Sequence, residues 1–86
     1  MYSIELKPSV SKFIEAQPAK IQRQLLAHVD SLASNPHPPG CKLLYANEKL
    51  YRNRSGNYRI IYQIQDKILL VVIIKIGDRK TIYRNL

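Results

Sequence analysis

The stretch LYRNRSGNYR, residues 50–59, places turn chemistry between two segments of strand-like composition. Leu50 to Arg54 is typical of a strand, and Tyr58 to Gln65 is typical of a second strand. The intervening Ser-Gly-Asn, residues 55–57, favours a tight reversal of the chain. The stretch therefore predicts a β-hairpin.

The residues after the hairpin predict that the sheet continues. Asp66 and Lys67 favour a tight connection, and Ile68 to Ile76 is apolar on both faces, as expected for a strand at the centre of a sheet. We expect Gly77 to end this strand and Arg79 to Tyr83 to form a short edge strand or turn.

The N-terminal half changes from a strand to a helical period. Residues 2–6 alternate and are closed by Pro8, and Ser9 is the expected N-cap of a short helix that reaches about Ala16. Pro18 suits the first turn of a second helix. Its predicted apolar stripe consists of Ile21, Leu25, Leu26, Val29, Leu32 and Ala33.

The order of these elements predicts an α+β fold. A leading strand and a helical hairpin precede three or four strands, so we expect the helices to pack on one face of a mainly antiparallel, twisted sheet. The proline-rich loop 35–41 ends the second helix. At 86 residues, the chain is expected to form a single domain over 1–86.

The net charge of +8 is concentrated in the second half of the chain. Residues 1–48 carry five basic and four acidic side chains, whereas residues 49–86 carry nine basic and two acidic ones. Such a field indicates a polyanionic partner, which could be nucleic acid, an acidic membrane surface or an acidic protein. Solubility alone is the simpler alternative.

Several functional classes are disfavoured by the rest of the composition. A single cysteine, Cys41, excludes an intramolecular disulfide, and His37 has no second metal ligand near it in the sequence. The N-terminus lacks the pattern of a signal peptide, and the longest apolar run, Ile68 to Ile74, is too short to span a membrane. We therefore expect a soluble, cytoplasmic protein.

Strand alternation predicts that three guanidinium groups converge. Arg52 and Arg54 are two positions apart and project from one face of their strand, and the hairpin can place Arg59 beside Arg54. No acidic residue lies between Lys49 and Gln65. A solvated strand face is the ordinary alternative, but unrelieved repulsion between neighbouring strands favours an anion site.

The sequences YRNRSGNYRIIYQI and IKIGDRKTIYR, in this order, resemble the RelE/ParE superfamily of bacterial toxins from toxin–antitoxin pairs, and in particular its RelE-like branch. The resemblance extends over nearly the whole chain. It implies a RelE-like fold and cleavage of messenger RNA in the ribosomal A site. In this family the 2′-hydroxyl of the RNA attacks its own phosphodiester without a metal or other cofactor.

The resemblance also implies which residues act. Arg52 and Arg54 match the basic pair that the family has on the first hairpin strand, and Arg59 matches the arginine of its Tyr-Arg pair. Further along the chain, Arg79 matches the arginine that follows the family's glycine, and Tyr83 matches its late tyrosine. We expect the arginines to stabilise phosphate charge and Tyr83 to stack on a base. Further RNA-phosphate contacts are expected from Lys49, Lys80 and Arg84.

The sequence departs from the family pattern where a proton acceptor is needed. Some relatives have lysines at the positions of Arg52 and Arg54, and many have histidine at the position of Asp78. Arginine is effectively always protonated, so Tyr83 becomes the preferred general base and Asp78 the second choice. Asp78 could equally be a surface partner of Arg79 or Lys80.

Three functions are compatible with this pattern. The first is a ribosome-dependent endoribonuclease whose partners are messenger RNA, the ribosome with its A-site ribosomal RNA, and a cognate antitoxin. The second is a non-catalytic, ParE-type inhibitor of DNA gyrase. The third and weakest is an inert basic module that binds RNA. No membrane partner and no small-molecule cofactor are expected.

Overall fold

The computed structural model describes residues 1–78, which form two α-helices, five strands and one short 3-10 helix. In chain order these are β1 Ser3–Leu6, α1 Pro8–Glu15, α2 Ala19–Ser34, β2 Lys42–Tyr45, β3 Leu50–Ser55, β4 Tyr58–Gln65, the 3-10 helix Asp66–Ile68, and β5 Leu70–Asp78. The predicted α+β class and the order of strand, helical hairpin and sheet are confirmed.

The five strands form one sheet in the order β1-β5-β4-β3-β2. Strands β2 to β5 pair antiparallel with their neighbours, whereas β1 pairs parallel with β5. The mainly antiparallel sheet is therefore confirmed. β5 lies between two strands, which agrees with its apolar side chains on both faces.

Alternate residues of β4 and β5 form the hydrophobic core with one side of the two helices. On β4 the face of Tyr58, Ile60, Tyr62 and Ile64 packs towards the helices. The fully buried side chains of this core include Leu25, Leu32, Ile60, Tyr62, Ile73 and Val71. We call this side of the sheet the helix face.

The structure corrects three expectations about the helices. The N-cap of α1 is Lys7 rather than Ser9, because Pro8 fits the first helical turn and Lys7 has the extended backbone that a residue before proline prefers. Pro18 is the N-cap of α2 rather than a residue of its first turn. In the predicted stripe of α2, Leu26 is 41% exposed, since the buried positions of this helix are Leu25, Val29 and Leu32.

The strand predictions need four further corrections. β2 was not predicted as a strand, and the hairpin turn consists of Gly56 and Asn57 because Ser55 still belongs to β3. β5 begins at Leu70, since the preceding residues form the 3-10 helix and Leu69 is left-handed. Gly77 does not end β5 but pairs with Arg59 inside it. The strand or turn expected at residues 79–83 lies outside the described residues.

Candidate functional site

The β3–β4 hairpin closes with a turn that requires glycine. Gly56 has a φ of +61°, a left-handed conformation that side chains rarely adopt, and a Cβ atom there would lie 2.6 Å from the Nε2 atom of Gln24. Ser55 pairs with Tyr58 directly before and after the turn. The turn therefore fixes the register of the two strands and with it the positions of the arginines.

Arg54 lies directly opposite Arg59 in this register. Residues that are directly opposite in an antiparallel pair share a face, with Cβ atoms roughly 4.5–5.5 Å apart. Arg52 lies two positions earlier on β3 and shares that face. The three side chains predicted to converge are thus brought to the side of the sheet opposite α1 and α2, which we call the cation face.

The cation face is only partly open to water. Arg54 is exposed, but Arg52 and Arg59 are half-buried, and the Nε atom of Arg52 is shielded from solvent. Ile61, between these arginines on the same face, has no exposed surface. A depression of about 80 Å³ lies at the hairpin tip, lined by Arg54, Gly56, Asn57, Tyr58 and Arg59. Charges interact more strongly in such a partly desolvated site than in bulk water.

Two further lysines share this face and were missed by the sequence analysis. Lys42 of β2 lies opposite Arg52, Arg52 lies opposite Ile61, and Ile61 lies opposite Lys75 of β5. These residues form one row across four strands, next to the row of Arg54, Arg59 and Gly77. Only the register of β2 and β5 places these lysines on the cation face. The sequence did not reveal this register, because β2 was not predicted and β5 contains a bulge.

Polar side chains behind the cation face hold β3 to α2. Asn53 is 4% exposed, and its Oδ1 atom lies 2.5 Å from Nε2 of His28. Gln24 Nε2 donates to the hydroxyl of buried Ser55 at 3.4 Å. Buried polar groups are costly without such partners. These contacts fix Asn53 and Ser55 towards α2, so the alternate residues Arg52 and Arg54 lie on the cation face.

Lys49 is not brought to this cluster. It precedes β3, at the end far from the hairpin turn, and its Nζ atom lies 3.5 Å from the Oδ2 atom of Asp66. Tyr2 also donates to Asp66, with an Oη to Oδ1 distance of 2.7 Å. The Tyr2 hydrogen bond first, and then the nearby charge of Lys49, lower the pKa of the Asp66 carboxyl below its ordinary value.

Asp78 lies in register with Tyr58 at the end of β5, whereas Gly77 lies opposite Arg59. The Tyr58 ring packs towards the helices, where it contacts Phe13 edge-on. The register therefore assigns Asp78 to the helix-face row and not to the row of Arg54 and Arg59. The other predicted site residues, Arg79, Lys80, Tyr83 and Arg84, lie outside the described residues.

The remaining polar residues of the core do not suggest a further reactive centre. The Tyr62 hydroxyl donates to the carbonyl oxygen of Pro36 at 2.8 Å and lies 3.0 Å from the Sγ atom of Cys41. Burial first, and then the hydrogen bond with Cys41, raise the pKa of Tyr62 far above its ordinary value. Within residues 1–78, no cluster of three or more His, Cys, Asp and Glu side chains is placed to bind a metal ion.

The fold and the cation face together define a class, that of small α+β proteins that present clustered arginines on one side of a twisted sheet. Comparison with known proteins makes the class specific. The sequence model of the family described as "ParE toxin of type II toxin-antitoxin system, parDE" matches residues 4–83. Among helices of residues 1–78, none has the length and apolar character needed to cross a membrane.

Individual relatives agree with this family. Toxin RelE of Mycobacterium tuberculosis is 32% identical over 84 residues, which cover 96% of this chain and 87% of that protein. The crystal structure of the archaeal RelE–RelB complex from Pyrococcus horikoshii superposes with a TM-score of 0.82 at 29% identity, covering 91% of this chain and 94% of that one. The isolated Escherichia coli RelE toxin, at 21% identity, TM-score 0.75 and coverage of 91% and 84%, shares the fold.

The chain therefore belongs to the RelE/ParE superfamily, as a RelE-like toxin of a type II toxin–antitoxin system.

Proposed function

We propose that this toxin is a ribosome-dependent endoribonuclease that cleaves messenger RNA in the ribosomal A site. The observation that carries the proposal is the pairing of Arg54 with Arg59 on the cation face, with Arg52 beside them. No acidic residue occurs between Lys49 and Gln65 in the sequence. An arrangement that costs stability but concentrates guanidinium groups suits a phosphate ligand.

The proposed reaction is attack by a ribose 2′-oxygen on the adjacent phosphorus. A bond forms between the 2′-oxygen and phosphorus, the bond from phosphorus to the 5′-oxygen breaks, and the products are a 2′,3′-cyclic phosphate and a 5′-hydroxyl. Negative charge accumulates on the non-bridging oxygens in the transition state. Arg59 and Arg54 would stabilise this charge from fixed positions, an effect typically worth about 10²–10³ in rate per donor.

A proton acceptor for the 2′-hydroxyl is still required, since arginine cannot accept a proton. Of the two candidates, Asp78 is disfavoured by its place in the row that includes Tyr58. Tyr83 is therefore the proposed base, and the departing 5′-oxygen takes a proton from water. Arg79 is proposed as an additional phosphate ligand. The reaction requires neither a metal ion nor an organic cofactor.

The proposed partners of the toxin are an antitoxin protein, messenger RNA and the ribosome. Support for the antitoxin comes from the Pyrococcus horikoshii relative, whose structure is that of a RelE–RelB complex. An antitoxin segment that carries carboxylates would neutralise the cation face and exclude RNA from it. Activity on translating ribosomes would place the protein in the cytoplasm.

The test is to induce the toxin and map the 5′ ends of cellular messages. Cuts should appear within translated regions and disappear when initiation is blocked. Arg54→Ala and Arg59→Ala should each reduce the cuts strongly. Lys67→Ala, which removes an exposed lysine of the 3-10 helix, should not. Growth arrest with intact messages would overturn the proposal.

A second candidate is a non-catalytic inhibitor of DNA gyrase, and it is favoured by the ParE description of the matching family. Such an inhibitor would not need a cluster of phosphate-binding arginines. Induction would then trigger the DNA-damage response, and the response would be lost in a host with toxin-resistant gyrase. Intact messages together with this response would assign the toxin to the second candidate.

A further inference from the structure

We infer that Lys42 and the groove beside it bind the RNA backbone at a subsite outside the cleavage position. The inference rests on the proposed function, because it concerns the path of the same RNA over the same sheet. The Lys42 groove has a volume of about 350 Å³. It is lined by Pro39, Gly40, Lys42, Arg52, Asn53 and Arg54.

The groove has the charge that a phosphate site needs. Its described lining includes three cations, Lys42, Arg52 and Arg54, and no carboxylate. Its volume lies within the range of roughly 300–1,000 Å³ that is usual for small-ligand sites. It can therefore accommodate a nucleotide unit rather than only a bare ion.

A second groove on the same protein shows that this charge pattern is local. That groove, of about 260 Å³, includes Lys49 and Lys67 but also Glu48 and Asp66. Its positive and negative side chains balance, and Lys49 and Asp66 form an ion pair at 3.5 Å. The described lining of the Lys42 groove, which includes no carboxylate, therefore differs in composition from that of the second groove.

The groove is continuous with the proposed cleavage site. Arg54 lines both the Lys42 groove and the depression at the hairpin tip, and Lys42 lies directly opposite Arg52. Adjacent strands are about 4.8 Å apart, so a chain crossing from β4 to β2 covers about 10 Å. Lys42 lies in the row of Arg52, two residues along β3 from the row of Arg59, so an RNA strand bound at Arg59 reaches Lys42 by crossing β3 obliquely.

The wall of the groove is built by the fold. Gly40 has a φ of +84°, which most other residues would adopt only with strain. The buried Asn53 donates from Nδ2 to the carbonyl oxygen of Pro39 at 3.4 Å, which ties the loop before β2 to β3. The loop that forms one wall of the groove is therefore attached to β3.

An exposed aromatic side chain favours RNA over an acidic peptide as the occupant. Tyr45 is 51% exposed and pairs with Leu50, which shares a face of β3 with Arg52. A base can stack on such a ring with a contribution of roughly 1–3 kcal/mol, whereas the carboxylates of an acidic peptide do not stack on it. Cations that bind phosphates beside an aromatic ring are the usual composition of a single-strand site.

The experiment measures binding without cleavage. The probe is a labelled single-stranded RNA with methylated 2′-hydroxyls, which cannot attack their phosphates, and affinity is followed by fluorescence anisotropy over a range of salt concentrations. Lys42→Gln should reduce the slope of log affinity against log salt by about 0.7, the value for one lost phosphate contact on a single strand. The expected loss should appear only with probes long enough to extend beyond the hairpin site.

Two control variants make the result specific. Lys67→Gln removes an equal charge from the balanced groove and should leave the slope unchanged, and Lys42→Arg should restore it. Lys42 is exposed, so circular dichroism should show folded protein for every variant. An unchanged slope for Lys42→Gln would overturn the inference. So would RNA binding that stays intact while affinity for the purified antitoxin falls, which would assign the groove to protein recognition.

The test of the Lys42 subsite can fail or succeed independently of the test of the proposed nuclease function. If the toxin leaves ribosome-bound messages intact but Lys42→Gln lowers the salt slope, the nuclease proposal fails and the subsite stands. If messages are cut and Lys42→Gln behaves as wild type, the subsite fails and the nuclease proposal stands.

Discussion

The two faces of the same strands show opposite relationships to stability. On β4 the helix-face residues Ile60 and Tyr62 have no exposed surface and pack against the helices. Their immediate neighbour Arg59 faces the other way, opposite Arg54. The helix face stabilises the fold, whereas the cation face places like charges together at a cost of roughly 0.2–1 kcal/mol per pair.

This difference is the reason why we propose that the functional site lies on the cation face. An apolar face is accounted for by burial alone, so it carries no information about a ligand. A face that works against stability needs another explanation, and strain or repulsion retained in a folded protein is characteristic of binding and catalytic sites. Substitutions on the two faces should therefore change the free energy of unfolding in opposite directions.

The largest effect on stability is expected from Ile60→Ala on the helix face. Truncating a fully buried isoleucine removes apolar contacts and leaves a cavity, at a cost of about 2–5 kcal/mol. Urea unfolding followed by circular dichroism measures this loss. A cost near that of an exposed substitution would show that the helices do not pack on this face.

A smaller loss of stability is expected from Asn53→Ala, which removes a hydrogen bond between β3 and α2. The substitution leaves His28 without its partner at the α2–β3 contact, at a cost of about 1–3 kcal/mol for an unsatisfied buried group. The same unfolding measurement applies, with Leu43→Ala on the exposed part of β2 as the control. Equal stability of the two variants would contradict a structural role for Asn53.

A gain in stability is expected from Arg54→Gln on the cation face. Removing one member of the Arg54–Arg59 pair should stabilise the protein by about 0.2–1 kcal/mol at low salt, because the repulsion between neighbouring strands disappears. Added salt should shrink the gain, since screening already weakens the repulsion in the wild type. A loss of stability that is independent of salt would show that Arg54 is a structural residue.

The smallest effect is expected at the edge of the sheet, from Tyr2→Phe. The hydrogen bond from Tyr2 lowers the pKa of Asp66 in the folded protein. The ionised Asp66 carboxylate therefore contributes its full stabilisation of the fold above pH 3.8, the ordinary pKa of the group. This contribution is lost as the pH falls through the folded-state pKa. Tyr2→Phe should therefore be slightly less stable than wild type at neutral pH but not in strong acid. Thermal melts across this range test the sign, and a carboxyl NMR titration should show a higher Asp66 pKa in the variant.

Much of the fold follows from local patterns. The change from a period of two to a helical period located both helices, and turn chemistry at Gly56 located the hairpin. β2 was missed because it has four residues and a register shift between Leu43 and Tyr45 interrupts its alternation. The parallel pairing of β1 with β5 is a long-range contact that no local pattern encodes.

The residues of the candidate site also divide into those that local sequence patterns predict and those that depend on long-range pairing. Arg52, Arg54 and Arg59 could be placed on one face because strand alternation and the hairpin turn fix them locally. Lys42 and Lys75 could not, because their positions depend on the register of β2 and on a shift in the register of β5 between the partners of Ile61 and Tyr62. Gly77 was misread for a related reason, since pairing with Arg59 keeps it within β5.

The central claim is that the cation face serves RNA cleavage rather than folding. The most direct test compares wild type with Arg59→Ala in two assays on the same preparations. One is single-turnover cleavage of a message on programmed ribosomes, and the other is urea unfolding. We predict that cleavage falls by about 10²–10³, while the free energy of unfolding changes by less than about 1 kcal/mol. Unchanged cleavage, or a loss of cleavage that merely follows a loss of folded protein, would contradict the claim.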